Sequence, residues 1–347
     1  MTLPTQDAQR GLEALHKVGL LNCAYEFKRT QGGITVPLNR EPSDAEVDVL
    51  RKKLVKFEIT QADFKPIHSR PKSIQDALQI PSTTISKAPR SFDLIGDIAI
   101  VEIPADLIPF SSQIGKAVLE VNPHVRLVLQ KSSDVMGTFR TRKFQALAGN
   151  GTTETVYHEF SCRYKLDVAE VYFNPRLSHE RMRVARQVKQ DEIVVDMFAG
   201  VGPYSILIAK SEPTSKVFSI DINPTAVAYL KQNIFANRVA DRVIPLLGDA
   251  GKLSTKEVHK IADRIIMNLP SEAGNYIGAA MQTLRVDGGR VHFYEFVGRN
   301  STVDSVKDSF ETLVEAQNRK VESFEFCNVI RETSPGNVEV AIDAVIT

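Results

Sequence analysis

The stretch from Asp191 to Asp221, DEIVVDMFAGVGPYSILIAKSEPTSKVFSID, limits the fold more than any other part of the chain. Ile193 to Val195 form a short β-branched run of the kind buried on both faces of a parallel sheet. Asp196, Phe198, Gly200 and Gly202 follow in a D-x-F-x-G-x-G turn. Pro203 then takes the place of a first helical residue, where its φ is already set and no amide is lost. A second apolar run, Val217 to Ile220, ends in Asp221. Strand, glycine turn, helix, strand and acid, in that order, place a ligand at the carboxyl ends of the strands of an open parallel sheet.

Two nucleotide-like ligands compete for such a turn. A dinucleotide needs G-x-G-x-x-G/A, because its pyrophosphate lies on the helix N-terminus; here Ser205 stands at the third position. S-adenosylmethionine carries no phosphate. It asks for a close backbone approach, which Gly200 and Gly202 permit, and for an acid on the ribose hydroxyls, which Asp221, next to Ile222, supplies. Asp196 opens the turn and is expected to face the positive methionine end. The motif alone favours the methyl donor without excluding the dinucleotide.

At 347 residues the chain exceeds one core, so two or three domains are expected. Hydrophobic content of 43% and charged content of 24% are those of an ordinary globular protein. No apolar run has the length of a membrane span, and the first residues lack the basic flank and apolar core of a secretory signal. Cys23, Cys162 and Cys327 have neither metal-site nor disulfide-framework spacing. The expectation is a metal-free monomer in a reducing cytoplasm, away from membranes. A net charge of +1 excludes an obviously basic, chromatin-like protein and little else.

Composition shifts divide the chain into residues 1–62, a linker at 63–90, a strand-rich segment at 91–168 and a remainder at 169–347. In the first, Leu12, Leu15, Val18 and Leu20 share a helical face. Ala24 to Lys28 and Ile34 to Leu38 read as a hairpin around QGG. Asp44 to Val55 reads as a helix with Ser43 as N-cap. This small α+β unit is a packing module or, with Lys28 and Arg29 on its surface, a docking module. Pro66, Pro71, Pro81 and Pro89 mark the linker. In the third segment FRTRKFQALA, from Phe139 to Ala148, reads as a strand, which puts Arg140 and Arg142 on one face as a fork for phosphates or a base edge.

From Asn174 onward, helix and strand alternate. A helix is predicted over Arg176 to Val188, and strands at Ile193, Val217, Val243, Ile265, Val291, Phe324 and Val338, the last two joined by the turn SPGN. Seven strands ending in an antiparallel hairpin make the α/β fold of class I S-adenosylmethionine methyltransferases, a Rossmann-like sheet; a dinucleotide fold lacks the hairpin. Two further segments fall at strand ends. In GDA, Asp249 can accept from an adenine amine while Ala250 lends an amide, and Asp249 is equally a good helix N-cap. In NLP, the amide of Asn268 offers a donor and an acceptor to the Watson–Crick edge of a purine, and Pro270 stiffens the turn. A cytosine-C5 enzyme would need a cysteine nearby, and none of the three is close in sequence.

Taken together, YFNPRLSHERMRV, DMFAGVGPY, the acid of SIDIN, GDA and NLP resemble the archaeal and eukaryotic tRNA (guanine-N1)-methyltransferases that modify guanosine 37, beside the anticodon. The resemblance runs from about Arg140 to the end of the sequence. It implies S-adenosylmethionine as cofactor and tRNA as partner, held at the anticodon loop and, through the first domain, at the elbow. By the same resemblance Glu180 is the general base that takes the N1 proton, Arg140 stabilises charge on O6 with Arg142 as second choice, and Asn268 orients the base. Arg181 touches the cofactor, and Arg176 and Pro270 complete the substrate site. The related aminocarboxypropyl transferase of wybutosine synthesis tends to carry D-P-P where this chain has Asn268-Leu269-Pro270. Some archaeal members also methylate a tricyclic guanosine. A nicotinamide oxidoreductase and a non-catalytic RNA-binding protein are the distant alternatives.

Overall fold

The computed structural model describes the chain apart from residues 31, 55, 67–70, 134–136, 299–301 and 335 and the side chains of residues 82, 83 and 334. It divides into two compact units, Met1–Lys72 and Ser73–Thr347. In the first, β1 (Thr2–Pro4), β2 (Lys28–Thr30) and β3 (Gly33–Thr35) form an antiparallel sheet in the order β1-β3-β2. Helices α1 (Ala8–Lys17) and α2 (Asp44–Lys53) bury Leu15 and Leu50 beside Leu3 and Leu20. At the start of α2, Ser43 and Glu46 form a capping box, in which Glu46 accepts from the Ser43 N–H at 2.9 Å, and Glu46 also accepts from Arg40 at 2.8 Å.

The hairpin is tighter than expected. Arg29 pairs with Ile34 and Thr30 with Gly33, rather than Ala24–Lys28 with Ile34–Leu38. The cause is β1: a Cβ on Gly33 would stand 2.0 Å from the Leu3 carbonyl oxygen, so glycine alone lets β1 pair there. Gln31 of the expected QGG turn and Val55 of the expected helix lie outside the described residues.

In the second unit, α3 (Ile74–Ala77) and α4 (Ser82–Ile85) precede a sheet of β4 (Asp93–Ile95), β5 (Ile98–Val101), β6 (Leu127–Lys131) and β7 (Phe144–Gly149), with α5 (Ser111–Val121) between β5 and β6. The expected linker at 63–90 is partly core. Ile74, Leu78 and Ala88 are buried with Leu107, Ile114 and Val118, so the prolines there punctuate packed structure. Nor does 91–168 stand apart as a compact body. The hairpin β8 (Glu154–Glu159) and β9 (Cys162–Asp167) buries Tyr164 with Val184 and Ile206 and Leu166 with Val201.

FRTRKFQALA is a strand only from Phe144. The Arg140 backbone is left-handed at φ 54°, and its N–H closes a turn onto the Gly137 carbonyl at 3.1 Å. Arg140 and Arg142 therefore do not share a strand face.

The remainder is α6 (Ser178–Ala185), β10 (Ile193–Asp196), α7 (Pro203–Ser211), β11 (Lys216–Asp221), α8 (Pro224–Ala236), β12 (Val243–Leu247), α9 (Ala250–Leu253), β13 (Arg264–Met267), α10 (Ile277–Thr283), β14 (Gly289–Gly298), α11 (Val303–Glu315), β15 (Val321–Ser334) and β16 (Asn337–Ile346). The helix expected from Arg176 to Val188 is shorter, because Pro175–Leu177 winds as a single 3-10 turn. The seven strands run β12-β11-β10-β13-β14-β16-β15, with β16 antiparallel to both neighbours. This is the expected class I methyltransferase sheet. Pro335 of the expected SPGN turn lies outside the described residues. Among the described residues no helix is long and apolar enough to cross a membrane.

Candidate active site

The carboxyl ends of β10, β11, β12 and β13 open onto one crevice of about 220 Å³. The glycine turn shapes its wall. Gly200 is left-handed at φ 56°, and its N–H donates to Asp221 Oδ2 at 2.7 Å, while Asp221 Oδ1 accepts from the Asn223 N–H at 2.8 Å. Burial raises the Asp221 pKa against the pull of these amides. Each oxygen keeps a lone pair for a ligand hydroxyl. Gly202 has φ 91°, and a Cβ there would lie 2.4 Å from Leu230 Cδ1, so its part is to pack α7 against α8.

Across from Asp221, Phe198 and Tyr276 meet edge to face at 5.0 Å. Asp249 caps α9 by accepting from the Lys252 N–H at 3.1 Å. Asn268 follows β13 directly, and the Pro270 carbonyl accepts from the Phe296 N–H at 3.2 Å, which ties the NLP loop to β14. Arg140 enters from the turn before β7. Its guanidinium donates to Ser271 Oγ and lies 5.6 Å from the centre of the Tyr172 ring.

The crevice thus gathers Phe198, Gly200, Asp221, Ile222, Asp249, Ala250, Asn268, Pro270 and Arg140 of the residues named from sequence. Among the described residues its charged walls are Asp221, Asp249, Glu272 and Glu339 against one cation, Arg140. That donor set suits a cationic ligand with hydroxyls and an amine, and opposes a pyrophosphate. S-adenosylmethionine therefore fits, and a dinucleotide does not.

Six expected residues are placed elsewhere: Arg142 and Arg176 in a second cavity described below, and four away from both. Gly202 is the first of these four, as described. Asp196 lies buried beneath the turn, where Ser205 Oγ donates to its Oδ2 at 2.8 Å, so the serine that breaks the dinucleotide fingerprint has a partner below the sheet. Arg181 is 2% exposed, its guanidinium held by both oxygens of Glu159 at 2.6 Å and by the Asn174 carbonyl at 3.1 Å. Glu180 faces the sheet instead of the crevice. Arg183 donates to its two oxygens at 2.8 and 2.7 Å, and the Tyr294 hydroxyl donates to Oε1 at 2.7 Å.

Glu180 belongs to a buried polar row on one face of β14 and β16. His292 pairs with Asp343, Tyr294 with Ala341 and Phe296 with Glu339 across these strands. Asp343 joins His292 at 2.6 Å and also holds Arg183; the other ring nitrogen of His292 meets Arg264 at 2.8 Å, and Arg264 ends on Glu192 at 2.8 Å. Burial lowers the His292 pKa, which leaves the ring neutral, donating to Asp343 and accepting from Arg264.

Beyond Arg140 and Tyr172 a second cavity, of about 440 Å³, is lined by Arg142, Arg176, Lys131 and Arg331. Among the described residues Arg142 Nε is buried without a hydrogen-bond partner, and Arg176 is held by Asp93 at 2.6 Å. Sequence reasoning missed Tyr172, Tyr276 and Glu339. Only the last left a trace: in NVEVAIDAVI two acids, four apart, interrupt an apolar strand on one face.

Burial raises the Asp196 pKa to about 7. Between roughly pH 4 and 7 the folded chain then holds a proton that the unfolded chain has lost, so stability falls as pH rises, by up to about 1.4 kcal/mol per pH unit. Asp196→Asn is expected to remove that part of the slope, read as urea midpoints at pH 5 and pH 7. An unchanged slope would place the titration elsewhere.

A model of the TRM5/TYW2 methyltransferase domain matches residues 155–322. The tRNA (guanine(37)-N(1))-methyltransferase Trm5b of Pyrococcus abyssi is 38% identical over 342 residues, which cover 98% of this chain and 97% of that one. The chain belongs to the TRM5/TYW2 methyltransferase family. A model of the TYW2 N-terminal domain matches residues 74–152, from α3 to just past β7. Within the family, the tRNA 4-demethylwyosine(37)-methyltransferase Taw21 of Saccharolobus solfataricus is 37% identical over 257 residues, 73% of this chain and 93% of that one. The solved complex of aTrm5 and tRNALeu superposes with a TM-score of 0.82 at 29% identity, covering 100% of this chain and 99% of that one.

Proposed function

We propose that this chain transfers a methyl group from S-adenosylmethionine to N1 of guanosine 37 in tRNA. The observation that carries the reading is the end-to-end likeness to a tRNA (guanine(37)-N(1))-methyltransferase, in a chain whose acid-lined crevice also presents Arg140 and Asn268. When bound, S-adenosylmethionine supplies a methyl group on a sulfonium, whose positive charge suits these acids. Asp221 takes the ribose hydroxyls beside Ile222 and Gly200. Asp249 and Ala250 take the adenine edge against Phe198.

Guanine N1 is engaged in pairing and stacking until the nucleotide is turned out. Asn268, backed by Pro270, then orients its edge, and Arg140 stabilises the charge that builds on O6 as N1 loses its proton. The cations of the second cavity, Arg142 and Arg176 among them, take the phosphates that flank it. The residues of the first unit, Lys28 and Arg29 included, dock the tRNA elbow, and the protein acts as a monomer in the cytoplasm. The second reading, methylation of a tricyclic guanosine at the same position, is favoured by the likeness to Taw21 and by the TYW2-type segment at 74–152.

Mass spectrometry of unmodified tRNA transcripts after incubation with protein and S-adenosylmethionine tests this. One methyl group at guanosine 37 is the expected product. An aminocarboxypropyl group there, or methylation only of tRNA that already carries the tricyclic base, overturns it.

A further inference from the structure

We infer that Ser271 is a positioning residue for the methyl transfer: its hydroxyl holds the Arg140 guanidinium beside the NLP loop, so that the donor for guanine O6 stands ready before the base arrives. The inference rests on the guanine methylation proposed above and on the part taken there by Arg140. Arg140 Nη1 donates to Ser271 Oγ across 131 positions of chain. One partner comes from the turn before β7, the other from the segment that leaves β13. Ser271 stands three positions after Asn268, so the contact joins the O6 donor to the loop that orients the base.

Both ends of the contact are firm. The Arg140 backbone is set by its turn onto the Gly137 carbonyl. On the other side the Glu272 and Ala273 N–H groups donate to the Leu269 carbonyl at 2.9 and 2.8 Å, which closes the chain around Ser271, and the Leu269 N–H donates to the Met267 carbonyl at 3.0 Å. What remains free is the long side chain between them, and an arginine has many rotamers to lose. The Tyr172 ring, its centre 5.6 Å from the guanidinium carbon, removes part of that freedom. Attraction to the face of a ring holds a cation at a height above it and leaves the guanidinium free to turn. A hydrogen bond has direction, so Ser271 supplies what the ring does not.

The hydroxyl is neutral, and that decides what Arg140 can still do. Asp221, Asp249, Glu272 and Glu339 line the crevice, yet the guanidinium donates to Ser271. A carboxylate in that place would take two N–H groups and cancel the charge. A serine takes one of the five N–H groups of an arginine and leaves the charge for an oxygen that turns negative. As N1 loses its proton, that oxygen is O6. A donor already aimed there costs no reorganisation as the charge builds, whereas a wandering one has to be gathered in the transition state. Ser271 thus acts through Arg140, without a contact of its own to substrate or cofactor.

Single-turnover methyl transfer by the full-length protein, on unmodified transcripts and in wild-type and Arg140→Ala backgrounds, is the test. Ser271→Ala is expected to slow wild type about tenfold at saturation, the scale of one hydrogen bond to a charged group. Affinities for tRNA, by filter binding, and for S-adenosylmethionine, by calorimetry, should stay within about twofold. The urea midpoint should not move, because Ser271 is exposed. In the Arg140→Ala background Ser271→Ala should change nothing further, since the hydroxyl has lost what it holds. Ser271→Thr, which keeps a hydroxyl, should recover most of the rate. A Ser271→Ala rate within about twofold of wild type overturns the inference. So does an equal loss in both backgrounds, which marks a structural effect on the loop, or a Ser271→Thr rate no better than that of Ser271→Ala. Should Ser271→Ala shift the urea midpoint, Ser271→Cys, of similar size with a weak acceptor, takes its place in the two backgrounds under the same criteria. A wild-type protein that leaves guanosine 37 unmethylated overturns the underlying reading, and an indifferent Arg140→Ala overturns the part given to Arg140, each with the inference on it. Wild-type activity that falls with Arg140→Ala and ignores Ser271→Ala overturns the positioning alone.

Discussion

Arg140→Ala is expected to slow single-turnover methyl transfer by about 10²–10³, the scale set by loss of one preorganised donor at a developing oxyanion. Affinity for tRNA should fall far less. The reason is placement. Arg140 lines both cavities, its guanidinium lies against Tyr172, and its left-handed backbone at φ 54° fixes where the side chain starts. Such a conformation is costly for a residue with a Cβ and persists where surrounding contacts impose it. Quench-flow rates on saturated enzyme, set beside filter-binding affinities, check the split. Affinity lost in parallel with rate would make Arg140 a phosphate contact. Arg140→Lys should recover only part of the rate, because an ammonium keeps the charge and loses the planar fork.

Arg181→Met is expected to cost about 3–5 kcal/mol of stability, since it leaves a carboxylate buried without its partner. Arg181 and Glu159 have side chains 2% and 4% exposed and share two bonds of 2.6 Å, and the guanidinium lies 5.4 Å from the centre of the Phe173 ring. The pair joins β8 to α6. Combining Arg181→Met with Glu159→Leu should restore most of the loss, because apolar groups of similar volume often replace a buried ion pair at no net cost. Urea unfolding of both variants measures this. Affinity for S-adenosylmethionine in the double variant then separates packing from contact: unchanged affinity confirms that Arg181 holds the helix, and a large loss would return it to the cofactor site.

The glycine turn and the strand-end acids were legible because each answers a local demand. A backbone at positive φ calls for Gly200, and a strand that ends at a ligand shows its acid at Asp221. Periodicity likewise located all seven strands of the catalytic sheet. What the chain concealed was direction. Arg140 and Arg142 sit in a segment with strand composition, yet a turn closes onto Gly137 and rotates Arg140 out of register. Glu180 and Arg181 are adjacent on one short helix and look equally free in a linear reading. Their partners are Tyr294 and Glu159, 114 and 22 positions away. Ser205 reads as a missing glycine and is a bonded floor beneath Asp196. In each case the deciding contact is tertiary, and no local pattern encodes it.

The crevice draws its walls from Tyr172, the ends of four parallel strands and β16, with two strands, β13 and β14, between β10, which leads into Gly200, and β16, which carries Glu339. No short fragment holds a usable part of that pocket, so occupancy and global folding form one equilibrium. Ligand at a hundred times its dissociation constant then deepens the native well of the whole second unit by about 2.7 kcal/mol. In a cell, methyl-donor supply would thereby set how long the catalyst itself survives proteolytic surveillance.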